Sequence, residues 1–310
     1  MENRFQYNVA TGRATLPLAI IFSLALFALC YKEPTDLISL GIAGAITYML
    51  IEFNAIFAFI RTRTFLPSAM FVLFYAGCPA LLQYRTDLYI PLLFMLMMFF
   101  LFQSFEKKDA SLTVFHAFIC LGTACMISPF FLYITPFMFI YMISLRSLSA
   151  RTFFAGILGL VTPYAITASY YAYNDRLADM FNFIKPVIEH PVMANFHIIA
   201  FEDIIYFAII LLIGIVSSVM NAMYSFKDKV RSRIIIRTVI LIELTHLPLI
   251  FIQPILFQPA LVIQLILGAV MSGHLFALEF NKLTKIYLIS ILVLMLAGAS
   301  LNVWIHLFNS

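Results

Sequence analysis

Charge is scarce in this chain. Of its 310 residues, 11% are Asp, Glu, Lys or Arg and 63% are hydrophobic. Soluble domains carry about 25% charged residues and about 45–50% apolar ones, so the composition excludes a chain that buries its apolar side chains in water. Cysteine is also sparse. Cys30, Cys78, Cys120 and Cys125 all sit in apolar runs and form no CxxC pair. That excludes a disulfide framework and a thiolate zinc site, and leaves the four thiols as small hydrophobes. No phosphate-binding glycine loop, no HExxH and no GxSxG occurs. ATP-driven transport by this chain alone, zinc proteolysis and serine hydrolysis therefore lack their usual sequence elements. The net charge of +4 is scattered over short segments, which is not the clustered basic face of a nucleic-acid binder. No cofactor and no metal is implied, and no protein partner can be named.

What remains is a succession of apolar runs: 16–31, 38–60, 65–83, 88–105, 114–129, 131–145, 153–173, 203–224, 238–252, 255–277 and 286–307. A helix needs about 20 apolar residues to cross a bilayer, so these read as about eleven passes of an all-α transmembrane bundle, a single integral domain over 1–310. The first run follows Arg4 and Arg13, but Lys32-Glu33-Pro34 comes next without a small-residue cleavage site. It reads as an uncleaved first span rather than a signal peptide.

The basic residues give the orientation. With the N-terminus in the cytoplasm, fifteen of the nineteen Lys and Arg fall in inner segments: Arg4, Arg13, Arg61, Arg63, Lys107, Lys108, Arg146, Arg151, Lys227, Lys229, Arg231, Arg233, Arg237, Lys282 and Lys285. Only Lys32, Arg85, Arg176 and Lys185 fall outside. This asymmetry is the positive-inside pattern of a cytoplasmic, or inner, membrane, and it puts the C-terminus outside. It also requires that 113–145 return to the side it left, as two spans or as a re-entrant hairpin around Pro129.

Chemistry has two candidate locations. The first is the outer loop 174–203, where Leu177, Met180, Phe181 and Ile184 have the spacing of an interfacial helix. Arg176 offers a planar fork for phosphate. His190 and His197 titrate near neutrality, and Glu202 or Asp203 would orient them. Tyr170, Tyr171, Tyr173 and Asp175 adjoin them, as an aromatic belt or as a substrate-binding surface. The second location is within the spans. Glu52 lies in the second run, and Glu243 and His246 share a helical face in the ninth. Ionisable groups at such depth are costly and mark function or interhelical ties. His116 and His274, near the inner ends of passes, read as satisfied or interfacial histidines.

Several short stretches carry a resemblance: Phe53-Asn54 to Arg63 with Thr64-Phe65-Leu66-Pro67, Phe115-His116-Ala117-Phe118 with Gly122, Ser128-Pro129-Phe130-Phe131, and Arg151-Thr152-Phe153 running into Gly159-Leu160-Val161-Thr162-Pro163-Tyr164. Over roughly 45–175 the chain resembles an uncharacterised family of polytopic inner-membrane proteins of Bacteroidota. Its architecture is distantly similar to type C glycosyltransferases and to O-antigen ligase and polymerase proteins. That likeness implies a glycan or phospho-group taken from a polyprenyl-linked carrier at the outer face, with Arg176, His190 and His197 at the site. Two other readings stay open: a secondary transporter or flippase using Glu52, Glu243 and His246, and a non-enzymatic membrane subunit or assembly factor. Whether the chain is an enzyme is not decided by its residues. The orientation is testable with single cysteines in a cysteine-free background. A membrane-impermeant maleimide added to intact cells should label Thr86→Cys and Ser310→Cys, and should reach Ser225→Cys only after permeabilisation.

Overall fold

Lipid offers a backbone no hydrogen-bond partners, so each apolar run must close its amides internally, and each does so as a helix. The computed structural model describes residues 4–176, 199–252 and 254–308. Among the described residues the protein is all-helical, with twelve α-helices and no strand. They are α1 (Arg4–Thr11), α2 (Thr15–Cys30), α3 (Asp36–Phe57), α4 (Leu66–Ala76), α5 (Tyr89–Gln103), α6 (Ser111–Ile127), α7 (Thr135–Ser144), α8 (Ala150–Tyr173), α9 (Phe201–Tyr224), α10 (Val230–Ile252), α11 (Phe257–Leu278) and α12 (Lys282–Phe308). The interfacial helix expected after Arg176 lies outside the described residues.

Among the described residues six helices are long and apolar enough to cross a membrane: Asp36–Phe57, Thr86–Gln103, Ala150–Tyr173, Phe201–Lys227, Phe257–Leu278 and Lys282–Ser300. The helices Phe5–Thr11 and Thr15–Cys30, bent by 80° at the break between them, make a seventh if taken together. Leu66–Ala76, Ser111–Ile127 and Pro129–Ser144 are apolar but shorter. At 1.5 Å per residue, the 11 residues of α4 reach about 16 Å, well short of the 65–83 run read from sequence. Gly77 and Pro79 end it: a 3-10 turn, Pro79–Leu81, takes over where the helix stops. Many large apolar side chains are exposed, such as Leu18, Ile21, Tyr48, Phe154, Leu158, Leu212 and Val293. They suit contact with lipid.

Contacts divide the chain into two compact units: Met1–Leu88, Ala200–Val239 and Leu261–Ser310 in the first, and Tyr89–Ile199 with Ile240–Ala260 in the second. In the first unit α4 packs against α2 and α3, and all of its residues but Leu73 are buried. α11 is buried along almost its whole length. Asp36 starts α3 with its carboxylate taken up by three backbone amides: Lys32 at 3.2 Å, Glu33 at 3.0 Å and Tyr84 at 3.0 Å. Ser39 adds a bond to the Leu82 carbonyl at 2.6 Å. A buried carboxylate is tolerated there because donors surround it.

In the second unit α6 and α8 approach until their backbones nearly touch. A Cβ on Gly159 would lie 2.4 Å from the Phe115 carbonyl oxygen, and one on Gly122 would lie 2.7 Å from that of Leu160. Small residues permit such close helix pairs in membranes. Ser149 and Thr152 form a capping box that starts α8. At the same end Arg146 pairs with Glu106 at 3.1 Å, and Arg151 pairs with Asp109 at 2.9 Å. The loops flanking 111–144 are thus tied together: α6 leaves this end, the chain turns at Ser128-Pro129, and α7 returns to it. Gly159→Leu should drive α6 and α8 apart at a cost of about 1–3 kcal/mol, read as a lowered unfolding temperature in detergent. Gly44→Ala, whose added methyl meets nothing within 4 Å, should leave that temperature unchanged.

Candidate functional site

A polar cluster gathers at one end of the first unit, where α1, the α3–α4 loop, the end of α9 and the α11–α12 junction meet. Gln6 of α1 donates to the carbonyls of Phe276 at 3.1 Å and Glu279 at 2.7 Å. Lys227 holds the Glu279 carboxylate at 2.7 and 2.9 Å. Thr62, in the α3–α4 loop, donates to the Ala277 carbonyl at 3.5 Å. The basic segments 61–63, 227–229 and 282–285 belong to these same joining elements.

Within the cluster lies a buried histidine with a defined tautomer. The side-chain amide of Asn221 donates to the Met271 carbonyl at 2.7 Å, so its Oδ1 faces His274 Nδ1 at 2.8 Å. An amide oxygen only accepts, so Nδ1 carries the proton. Phe59 stacks on the imidazole with ring centroids 5.9 Å apart and planes at 13°. The other nitrogen, Nε2, has no hydrogen-bond partner and faces Asp228 Oδ2 at 3.7 Å. Both side chains are enclosed, His274 at 3% exposure and Asp228 at 8%.

Two bases thus face each other across one missing proton. It can sit on Nε2, giving an imidazolium–carboxylate pair, or on Asp228, giving a neutral pair. Burial pushes the Asp228 carboxyl above its ordinary value; Glu279 adds to the rise, while Arg61, Arg233 and Lys227 oppose it. A carboxyl held up in this way is protonated more readily than a solvated one, and it is a group that can exchange protons with its neighbour.

The residues expected from sequence fall elsewhere. Asp175 and Arg176 cap the end of α8 in the second unit, exposed, with Asp175 in the left-handed region at φ 55. Tyr170 and Tyr173 are exposed beside them, and Tyr171 is half-buried, edge-on to Tyr170 at 5.9 Å. His190 and His197 lie outside the described residues. Glu202 and Asp203 begin α9 in the first unit; Glu202 is exposed, and Asp203 accepts from the Cys78 thiol at 3.6 Å. Glu52 is half-buried on α3. Glu243 and His246 are buried on α10 in the second unit, where His246 Nε2 bonds the Ala260 carbonyl at 3.1 Å and Nδ1 has no partner. Among the described residues no three of His, Cys, Asp and Glu gather closely enough to hold a metal ion.

Sequence reasoning therefore missed Asn221 and Asp228 and read His274 as satisfied. One signal was present: Asp228 is the sole acid in the most basic stretch of the chain, Lys227 to Arg237. Compared with family models, curated proteins and solved structures, the chain matches none. The fold alone supplies its class, an all-helical protein with several helices apolar enough to cross a membrane.

The sign of the Asp228 effect is testable. Its folded-state pKa lies above the ordinary value of 3.8. Its contribution to stability is therefore full below that value and is lost as pH rises through the folded pKa. Asp228→Asn should remove this loss: the gap in unfolding temperature between variant and wild type should shift in favour of the variant as pH is raised from about 4 to neutrality.

Proposed function

We propose that the chain is a proton-linked carrier of the inner membrane, with eleven crossings, a cytoplasmic N-terminus and an external C-terminus. The observation that carries this reading is the enclosed His274–Asp228 pair, with one nitrogen fixed as a donor by Asn221 and the other facing a carboxyl whose pKa is raised. Ionisable groups held within a helical membrane bundle commonly serve proton and substrate pathways. The pair sits where α9 passes into α10 and α11 into α12. A change in its protonation acts directly on the ends of four helices. The arrival of the missing proton turns a net negative charge, a neutral imidazole beside a carboxylate, into a pair of no net charge beside Arg61, Lys227 and Arg233. Release reverses this, and either change favours a different packing of the loop that holds Asp228. The basic segments meeting at this end of the unit support a cytoplasmic placement under the positive-inside rule.

Transfer from a polyprenyl-linked carrier at the outer face rests on Arg176, His190 and His197. Two of those three lie outside the described residues, and no observation favours that reading over the carrier. The carrier reading is tested by currents from proteoliposomes on a solid-supported membrane, challenged with acetate, glutamate, lysine, glucose and inorganic phosphate with and without an inward proton gradient. At least one solute should give a gradient-dependent current that is lost in both His274→Gln and Asp228→Asn. Currents absent for all five solutes, or unchanged in both variants, would overturn it.

A further inference from the structure

The first unit contains a groove and a cavity that meet at one residue. The groove runs between α2, α3 and α4 and has a volume of about 320 Å³. Leu16, Ile20 and Leu24 form one wall, and Leu40, Gly44 and Ile51 form the other. Two of its four hydroxyls are turned to backbone: Thr47 donates to the Ala43 carbonyl at 2.7 Å and Tyr75 to that of Leu81 at 2.7 Å, while Ser23 and Tyr48 supply the other two. The rest of the lining is apolar. From Leu40 to Ile51 it follows α3 for about 16 Å.

Ile51 also lines a second cavity, of about 440 Å³, between the end of α3 and the α3–α4 loop. Each volume is ligand-sized, in the range of about 300–1,000 Å³. This cavity differs in character from the groove. Asn54 fastens the loop over it, accepting from the Ile60 amide at 3.3 Å and donating to the Thr64 carbonyl at 3.4 Å. Ala58, in the left-handed region at φ 46, turns the chain away from α3. Arg61 and Arg63 are thereby presented at the cavity, both exposed, and neither forms an ion pair with a carboxylate among the described residues.

We propose that this groove and cavity form one site for a membrane lipid with an anionic phosphate head. One chain of the lipid lies along Leu40–Ile51 of α3, and its phosphate is held by Arg61 and Arg63. Neither His274 nor Asp228 lines the groove or the cavity, but Arg61 is shared with the surroundings of that pair, so Arg63, which is not, carries the single-variant test. Two features argue for a lipid over a soluble anion. The groove shares Ile51 with the cavity that the arginines line, and Ile20, Leu24, Gly44 and Tyr48 along it are exposed, as entry from a bilayer requires. Guanidinium groups suit the phosphate because they bind it in a bidentate fork and remain charged at all relevant pH.

The test uses the purified full chain, stripped of lipid in mild detergent and then incubated with phosphatidylglycerol, phosphatidylcholine or inorganic phosphate. Retained lipid is counted by native mass spectrometry, and the unfolding temperature is followed in parallel. Wild type should retain phosphatidylglycerol in preference to phosphatidylcholine and should be stabilised by it. Arg63→Gln should lower that retention about fivefold, and the Arg61→Gln/Arg63→Gln double variant about twenty-five-fold, the weight of one and two basic residues at an anionic surface. Gly44→Phe projects into open space, since a Cβ there meets nothing within 4 Å; it should fill the groove and abolish retention of both lipids. Gly44→Ala should retain them like wild type. Equal retention of the two lipids by wild type would overturn the proposal. So would full retention of phosphatidylglycerol by Gly44→Phe, or stabilisation by inorganic phosphate equal to that by the lipid. Should Gly44→Phe fail to fold, the stabilisation by phosphatidylglycerol and its loss in the double arginine variant decide the matter without it.

Discussion

The absence of water from the hydrocarbon layer governs this structure. An amide or a side-chain donor without a partner there costs several kcal/mol, so polar groups must be answered from within the protein. The solutions run through both units. Asp36 takes up three backbone amides. The hydroxyls of Thr47, Thr162, Thr238 and Ser272 bond back to carbonyls four residues earlier in their own helices. Gln6 reaches from α1 to satisfy the carbonyls at the end of α11. Against that regularity, a buried nitrogen left without a partner stands out. His274 Nε2 is one of few such atoms among the described residues, and it faces another titratable group, Asp228, at 3.7 Å. The same constraint that organises the fold thus distinguishes the site.

Much of the fold was readable from the runs of apolar residues. The boundaries of α2, α3, α8, α9 and α11 fall within a few residues of the runs 16–31, 38–60, 153–173, 203–224 and 255–277. The return of 113–145 to its starting side was required by the charges at Arg146 and Arg151, and the Arg146–Glu106 pair ties those loops together. The run 65–83 was less legible. Hydropathy measures how apolar a stretch is, but not where its helix stops, and the break at Gly77–Pro79 halves it. The α1–α2 bend was hidden because Gly12 and Arg13 look like an ordinary flank to an apolar run.

The candidate site was legible in its members but not in its assembly. Asn221 and Asp228 are seven positions apart, but His274 and Arg61 lie tens to hundreds of positions from them, and no recognised local spacing joins the four. Reasoning from exposed loops favoured Arg176 and its neighbours because polar residues were densest there. Density in sequence measures solvation as much as chemistry, whereas the informative quantity was enclosure, which depends on how α9 and α11 pack. The groove was equally invisible. Its walls are common apolar residues, and its distinguishing feature is the open space at Gly44, which a sequence records only as a missing side chain.

The shortness of α4 has a consequence for how the protein is made. Eleven residues do not match the thickness of the hydrocarbon layer, so α4 alone would leave its ends poorly accommodated. Its shelter comes from α2 and α3, which leave the ribosome before it, and from the later α11, where Gly273 lies so close to Pro67 that a Cβ would fall 2.6 Å from its ring. Insertion of this segment is therefore cooperative rather than autonomous. α4 must be held by its two predecessors, or by the insertion machinery, until a helix made nearly two hundred residues later arrives to close around it.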